Sequence, residues 1–252
     1  MKPFRVLMLA LSTALVGLIA GYVAVIRPRL RAWGTVASDA ALDLPGDELV
    51  PDTTAVETRG ISIAAPPEVI WPWLVQMGYG RAGWYSYDAL DNDSPSATEL
   101  IRGLAELNVG DVMPTHPGGG FEVKVLEPNR ALVLYSDTAL VQSQAEAARA
   151  NGADDLPTNG LKVSGGLLSA SFPDFAASWA FYLEPKGDGQ TRLIERFLAR
   201  SPGEGIAAAL IGEVMGTGFL LMTRKQMLGI KERIERLSVD ARPTAREAAH
   251  AG

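Results

Sequence analysis

The chain has 252 residues, 47% of them apolar and 21% charged, which is enough apolar material for a packed core and excludes global disorder. It has no cysteine, which rules out disulfides, thiolate zinc sites and a cysteine nucleophile, and its two histidines, His116 and His250, are too few for a histidine-rich metal centre. The net charge is −6; setting aside the five basic residues of the first 31 leaves 18 basic and 29 acidic residues, a net −11, and a body so acidic repels nucleic acid.

Residues 6–26 carry no charge. As a helix this run measures about 31 Å, the thickness of a bilayer core. Lys2 and Arg5 flank it on one side and Arg27, Arg29 and Arg31 on the other, while Tyr22 and Trp33 suit an interface. A cleaved signal peptide fits less well. The run is long for one, and tyrosine spoils the small-residue positions around Ala20 and Ala24. Residues 1–31 are therefore expected to be an uncleaved membrane anchor, with the bilayer as partner through residues 6–26. The basic flanks balance, so charge assigns no side of the membrane to the body.

Residues 32–56, with Gly34, Pro45-Gly46-Asp47 and Pro51-Asp52, read as a linker. A strand is expected over 57–64, with Ile61 and Ile63 on one face. Pro66-Pro67-Glu68 opens a helix, because proline suits the first turn and glutamate the positive end of the dipole. Val69, Ile70, Trp73 and Leu74 form its apolar stripe, and Gly78 stops it. The loop 78–88 concentrates three glycines and four aromatics. A short helix is expected over 98–107, then strands at 121–126 and 131–135 joined by Glu127-Pro128-Asn129-Arg130. Residues 137–176 form a long insert, with a polar helix over 139–150. A hairpin spans 178–184 and 191–199 around Pro185-Lys186-Gly187-Asp188-Gly189. A long helix runs over 205–237, and its first half carries one charge, Glu213. A buried helix is favoured there over a second span, which four glycines and an internal charge would make marginal. Residues 238–252 read as a disordered tail.

The order of elements is an α+β pattern, with helices to one face of an antiparallel sheet. The opening Ile61-Ser62-Ile63-Ala64-Ala65-Pro66-Pro67-Glu68-Val69-Ile70-Trp71-Pro72-Trp73-Leu74 resembles the start of the START/Bet v1-like (SRPBCC, polyketide cyclase-like) superfamily. The hairpin from Ser178-Trp179-Ala180-Phe181 through Thr191-Arg192-Leu193-Ile194 is similar to that family's late strands, and the loop 80–88 resembles a membrane-associated subgroup. The resemblance covers residues 57–136 and 177–237. It implies a helix-grip domain over 57–237, with seven antiparallel strands curved around the C-terminal helix and an apolar cavity between them. Members bind lipids, sterols, polyketides or hormones, and some catalyse cyclisation. No catalytic set is shared across the superfamily.

Candidate ligand-binding residues are Arg81, Trp84, Tyr85 and Tyr87 in the loop, and Gly212, Met215, Gly216 and Phe219 on the long helix. Arg81 suits a carboxylate or phosphate, and the tyrosines suit a carbonyl. The plainer reading is a loop packed onto the core with Arg81 paired to Asp88. Tyr85, Asp88 and His116 are the candidate acids and bases. Asp88, Asp91 and Asp93 fail the calcium-loop template, so no metal is expected, and with no P-loop and no Rossmann fingerprint no cofactor is expected either. Three readings follow: a membrane-tethered binder of a small hydrophobic or amphipathic ligand, a cyclase- or dehydratase-type enzyme in the same cavity, or an interaction module whose interior is filled by its own side chains.

Overall fold

The computed structural model describes residues 2–150, 174–200 and 205–240; side-chain surroundings at 2–7, 9, 11, 12, 205–212, 214, 215 and 238–240 lie outside that description. The chain folds as α+β. A curved six-stranded antiparallel sheet carries a long C-terminal helix on one face, and an apolar helix precedes it.

Helix α1 (Lys2–Gly21) passes through a π-helical turn, Tyr22–Ile26, into α2 (Arg27–Arg31). This is the one helix found among the described residues that is long and apolar enough to cross a membrane. Its side chains at Leu15, Val16, Leu18 and Ile19 are exposed.

The strands are β1 (Ala55–Ile63), β2 (Val112–His116), β3 (Gly119–Glu127), β4 (Ala131–Asp137), β5 (Ala176–Gly187) and β6 (Gln190–Arg200), in the spatial order β1-β6-β5-β4-β3-β2. The resemblance implies seven strands; the described residues hold six. The β5–β6 hairpin turns at Asp188 and Gly189, both in the left-handed region, as its Gly-Asp-Gly sequence requires. Asn129 does the same between β3 and β4.

Helix α3 (Ala37–Ala41) and a 3-10 turn, Asp47–Leu49, lie within 32–56. Expected as a linker, this segment is packed on the sheet. Asp39 is fully buried and accepts from Arg192 Nη2 at 2.5 Å, and Arg196 Nη1 donates to Asp47 Oδ2 at 2.5 Å and to Leu42 O at 2.7 Å. Two arginines from even positions of β6 thus hold the segment through ion pairs, which leave no apolar periodicity to read in its sequence.

Helix α4 (Pro67–Val75) begins at the expected prolines and buries Ile70, Trp73 and Leu74, while Val69 of the expected stripe is exposed. The helix expected over 98–107 is absent. The Gln76 side chain takes that segment's backbone instead, accepting from Ile101 N at 3.0 Å and donating to Glu99 O at 3.4 Å, and Gly103 adopts a positive φ. A four-residue helix, α5 (Asp88–Asp91), stands where only a loop is expected. Helix α6 (Thr138–Ala150) matches the polar helix of the insert, whose residues 151–173 lie outside the described residues.

Helix α7 (Gly205–Asp240) lies on the concave face. Met227, Ile230 and Ile234, on one stripe of it, are fully buried in one cluster with Ile61, Ile63, Leu132, Leu134, Phe181, Leu183 and Leu193 of the sheet. Where α7 crosses the 78–88 loop, a side chain on Gly229 would meet Tyr85 O at 2.2 Å, so the helix and loop backbones touch there. Residues 238–240 of the expected tail belong to α7, and 241–252 lie outside the described residues.

Candidate functional site

Period-two alternation decides what faces α7. On β1, Glu57 and Arg59 share the inner face with Ile61 and Ile63; on β6, Glu195 shares it with Leu193 and Phe197. Arg59 and Glu195 are direct cross-strand partners, and both are fully buried. Arg59 Nη1 donates to Glu195 Oε1 at 3.1 Å and Nη2 to Glu57 Oε2 at 2.5 Å. Trp179 on β5 donates Nε1–H to the same Glu195 Oε1 at 3.0 Å. Arg31, half-buried at the end of α2, lies 3.6 Å from Glu57 and brings a second positive charge from the surface.

Three polar atoms of this cluster are left over. Glu195 Oε2, Arg59 Nε and Arg31 Nε are buried without a hydrogen-bond partner among the described residues. Burial pushes both carboxyls above the ordinary glutamate value, while the Arg59 guanidinium pulls each back down in part.

Aromatic rings close over the cluster. Trp84 lies flat on Trp179, with centroids 5.1 Å apart and planes 15° apart. Phe121, Phe181, Phe197 and Phe219 surround the same indole at 5.1–6.5 Å. The Phe219 ring also lies 5.8 Å from the Arg59 guanidinium. Side chains therefore fill the space between sheet and helix at this level. An open, shallow depression of about 540 Å³ lies elsewhere, at the foot of the N-terminal helix beside Val25, Pro28 and Trp33.

The residues singled out by sequence divide. Trp84 and Phe219 meet on Trp179. Tyr85 is buried one shell away against Trp73, at φ 59°, with its hydroxyl donating to Trp73 O at 3.1 Å and accepting from Gln76 Nε2 at 2.8 Å. Burial pushes its phenol up to about 12, which suits a structural hydroxyl better than a proton-transfer group at neutral pH. Arg81 is not paired with Asp88. It donates to Met77 O, Val75 O and Leu104 O at 3.0, 3.1 and 3.3 Å, tying the C-terminal end of α4 to the segment around Leu104. Asp88 accepts from Ser96 N at 2.9 Å and Ser96 Oγ at 2.5 Å and so closes the loop. Tyr87 and His116 are exposed, and His116 Nδ1 lies 2.9 Å from Pro117 O in the β2–β3 turn. Gly216 has open space where a Cβ would stand, so the sheet does not approach it closely. Gly212 and Met215 belong to α7, but their surroundings lie outside the described residues.

Glu57, Arg59 and Glu195 are not among the residues the sequence singles out. The signal for them is present: charged residues in step with Ile61, Ile63, Leu193 and Phe197 fall on the inner face of strands. Among the described residues no cluster of histidine, aspartate and glutamate is arranged to hold a metal ion.

No known family model matches the chain, and no curated protein does. Solved structures similar to it include a hypothetical protein from Helicobacter pylori (12% identity, 80% of this chain and 98% of that one, TM-score 0.43). Others are a conserved protein from Geobacillus kaustophilus (15%, 72% and 96%, TM-score 0.40) and a protein from Arthrobacter aurescens (11%, 72% and 86%, TM-score 0.41). At TM-scores below 0.5 these likenesses bear on neither fold nor function.

Proposed function

We propose that this chain is a membrane-tethered, START-like binding protein for a small amphipathic ligand. One observation carries the reading: a fully buried Arg59–Glu195 pair sits on the inner face of the sheet with a donor and an acceptor that have no partner among the described residues. A core selected for stability alone has little use for such a pair, because apolar residues of similar volume serve as well or better. The unused Arg59 Nε–H and Glu195 Oε2 suit a head group that both accepts and donates, such as a hydroxyl or a carboxamide. The rings around Trp179 offer the apolar body a surface, and the ligand enters by displacing Phe219, the member of that cluster carried by α7.

The tether is the apolar helix α1 with its basic flanks, kept uncleaved as a single-pass anchor. Its exposed apolar side chains support this, since a helix of a soluble core would bury them.

The raised carboxyls also support a second reading, an enzyme of the dehydratase or cyclase kind. Burial raises Glu195 above the ordinary carboxylate value, which favours its taking up a proton from a ligand in the same space.

The test is native mass spectrometry of the full chain, extracted gently in detergent. A discrete small-molecule adduct, diminished in Glu195→Leu, is the expected result. Conversion of that molecule to one lighter by a water would select the enzyme reading. No adduct, together with no uptake of long-chain alcohol or amide probes, would overturn both and leave an interaction module with a filled interior.

A further inference from the structure

Helix α2 brings two arginines, Arg27 and Arg31, to the seam where β1 meets α7. They stand one turn apart and so share a face. The Glu57 carboxyl feels the positive charge of both, as well as that of Arg59. Arg27 has a close partner on α7, with its Nη2 2.7 Å from Glu213 Oε2. Arg31 has none so close. Its ion pair with Glu57 Oε1 is 3.6 Å long, beyond hydrogen-bond reach. Its Nε is buried without a hydrogen-bond partner among the described residues, yet its side chain keeps 30% of its surface exposed. Arg31 is thus open to the outside and unsatisfied within.

Helix α2 is held in place on both sides. Before it, the Tyr22 hydroxyl donates to Glu213 Oε1 at 3.2 Å; after it, the Trp33 ring lies under the Arg224 guanidinium at 5.0 Å. A guanidinium seated in this way offers its planar fork at little entropic cost, and that fork matches a carboxylate. Only Glu57 separates Arg31 from the deeper pair, since Glu57 Oε2 accepts from Arg59 Nη2 at 2.5 Å. Going inward from the rim, the seam therefore offers an unsatisfied guanidinium, then the donor Arg59 Nε beside the acceptor Glu195 Oε2, then the rings around Trp179.

From this order we infer that the ligand is an acidic amphiphile, with a carboxylate on Arg31 at the rim, an amide or hydroxyl at Arg59 and Glu195, and an apolar chain against the Trp179 rings. An N-acyl amino acid carries its groups in this sequence. The inference rests on the binding reading above and names its ligand class. Each of the three leftover atoms of the cluster then gains a partner of the right kind. The amide N–H donates to Glu195 Oε2, the amide carbonyl accepts from Arg59 Nε, and the carboxylate accepts from Arg31. Arg31 gives up only its long contact with Glu57, so the exchange costs little.

The full chain in a neutral maltoside detergent is titrated calorimetrically with dodecanamide and with N-dodecanoylglycine. The acid is expected to bind about ten-fold more tightly than the amide, and Arg31→Gln to bring the two within about two-fold of each other. Glu57→Gln, which removes the carboxylate competing for Arg31, is expected to widen the acid's advantage. Arg29→Gln, on α2 but bonded to Val25 O instead, is expected to leave it as it is. Dodecanamide binding with no advantage for the acid, or an advantage that survives Arg31→Gln, overturns the inference and leaves the binding reading standing. Binding of neither probe overturns both. An advantage seen in maltoside and lost in phosphatidylcholine nanodiscs assigns Arg31 to a lipid phosphate, and also overturns the inference.

Discussion

Trp179 and Glu195 sit diagonally across neighbouring strands, and the indole N–H donates to the carboxylate at 3.0 Å on the oxygen that Arg59 already holds. One oxygen therefore takes two donors while its twin takes none among the described residues. Replacing Arg59 by methionine leaves two buried carboxyls beside one surface arginine and is expected to cost about 3–5 kcal/mol at pH 7.5. Glu195→Gln keeps an acceptor for both donors and is expected to cost roughly 1–2 kcal/mol. Both carboxyls have folded values raised above 4.5, so the fold is favoured by protonation, and stability falls as pH rises above 4.5. Denaturant unfolding of Arg59→Met is therefore expected to show a smaller loss at pH 5 than at pH 7.5. A pH-independent loss would contradict this account of the cluster.

Asp91 offers a second titration. It is buried, both its oxygens lack a partner among the described residues, and the nearby Ser86 hydroxyl gives its proton to Met222 O at 2.9 Å. Burial raises its pKa to about 6. Because the folded value lies above the unfolded one, the penalty grows as pH climbs from about 4 to about 6 and is complete above that. Asp91→Asn is expected to stabilise the protein by roughly 1–2 kcal/mol at pH 7.5 and to have little effect at pH 4. Thermal unfolding at the two pH values measures the difference.

Arg81 reads in the sequence as a ligand clamp, yet in the fold it donates to three backbone carbonyls. Arg81→Ala is expected to lose about 1–3 kcal/mol of stability, with lysine recovering only part of it because one ammonium does not reach three carbonyls. Adduct retention in the folded fraction should be unchanged. Loss of the adduct at full stability would return Arg81 to the binding site.

Gly229 marks the contact of α7 with the 78–88 loop. Gly229→Ala would place a methyl carbon 2.2 Å from Tyr85 O, so helix and loop must part. The expected cost is roughly 1–3 kcal/mol, against the small gain alanine brings to an open helix position. Hydrogen exchange should rise around residues 84–86, whose backbone the helix holds.

The hairpin β5–β6 and helix α4 were legible because their signals are local: strict alternation around Gly-Asp-Gly, and prolines ahead of an apolar stripe. The helix expected over 98–107 fails because a distant amide, Gln76, competes for its backbone. Residues 32–56 read as a linker because Asp39 and Asp47 bind arginines more than 140 positions away, which no local pattern reveals. For the site, Trp84 and Phe219 were visible as aromatics near the expected interior. Glu57, Arg59 and Glu195 were visible only by taking strand alternation literally for charged residues. The role of Arg81 was not legible, since its partners are carbonyls set by the tertiary fold.

The most direct test of the central claim is a tryptophan-emission titration of the full chain in lipid nanodiscs with long-chain alcohol, amide and fatty-acid probes. The Trp84–Trp179 stack lies where the proposed reading puts the ligand body. A saturable change with the alcohol or amide, lost in Trp179→Phe and weakened in Glu195→Leu, is the predicted result. A response that only tracks probe partitioning into lipid, the same in both variants, would contradict it.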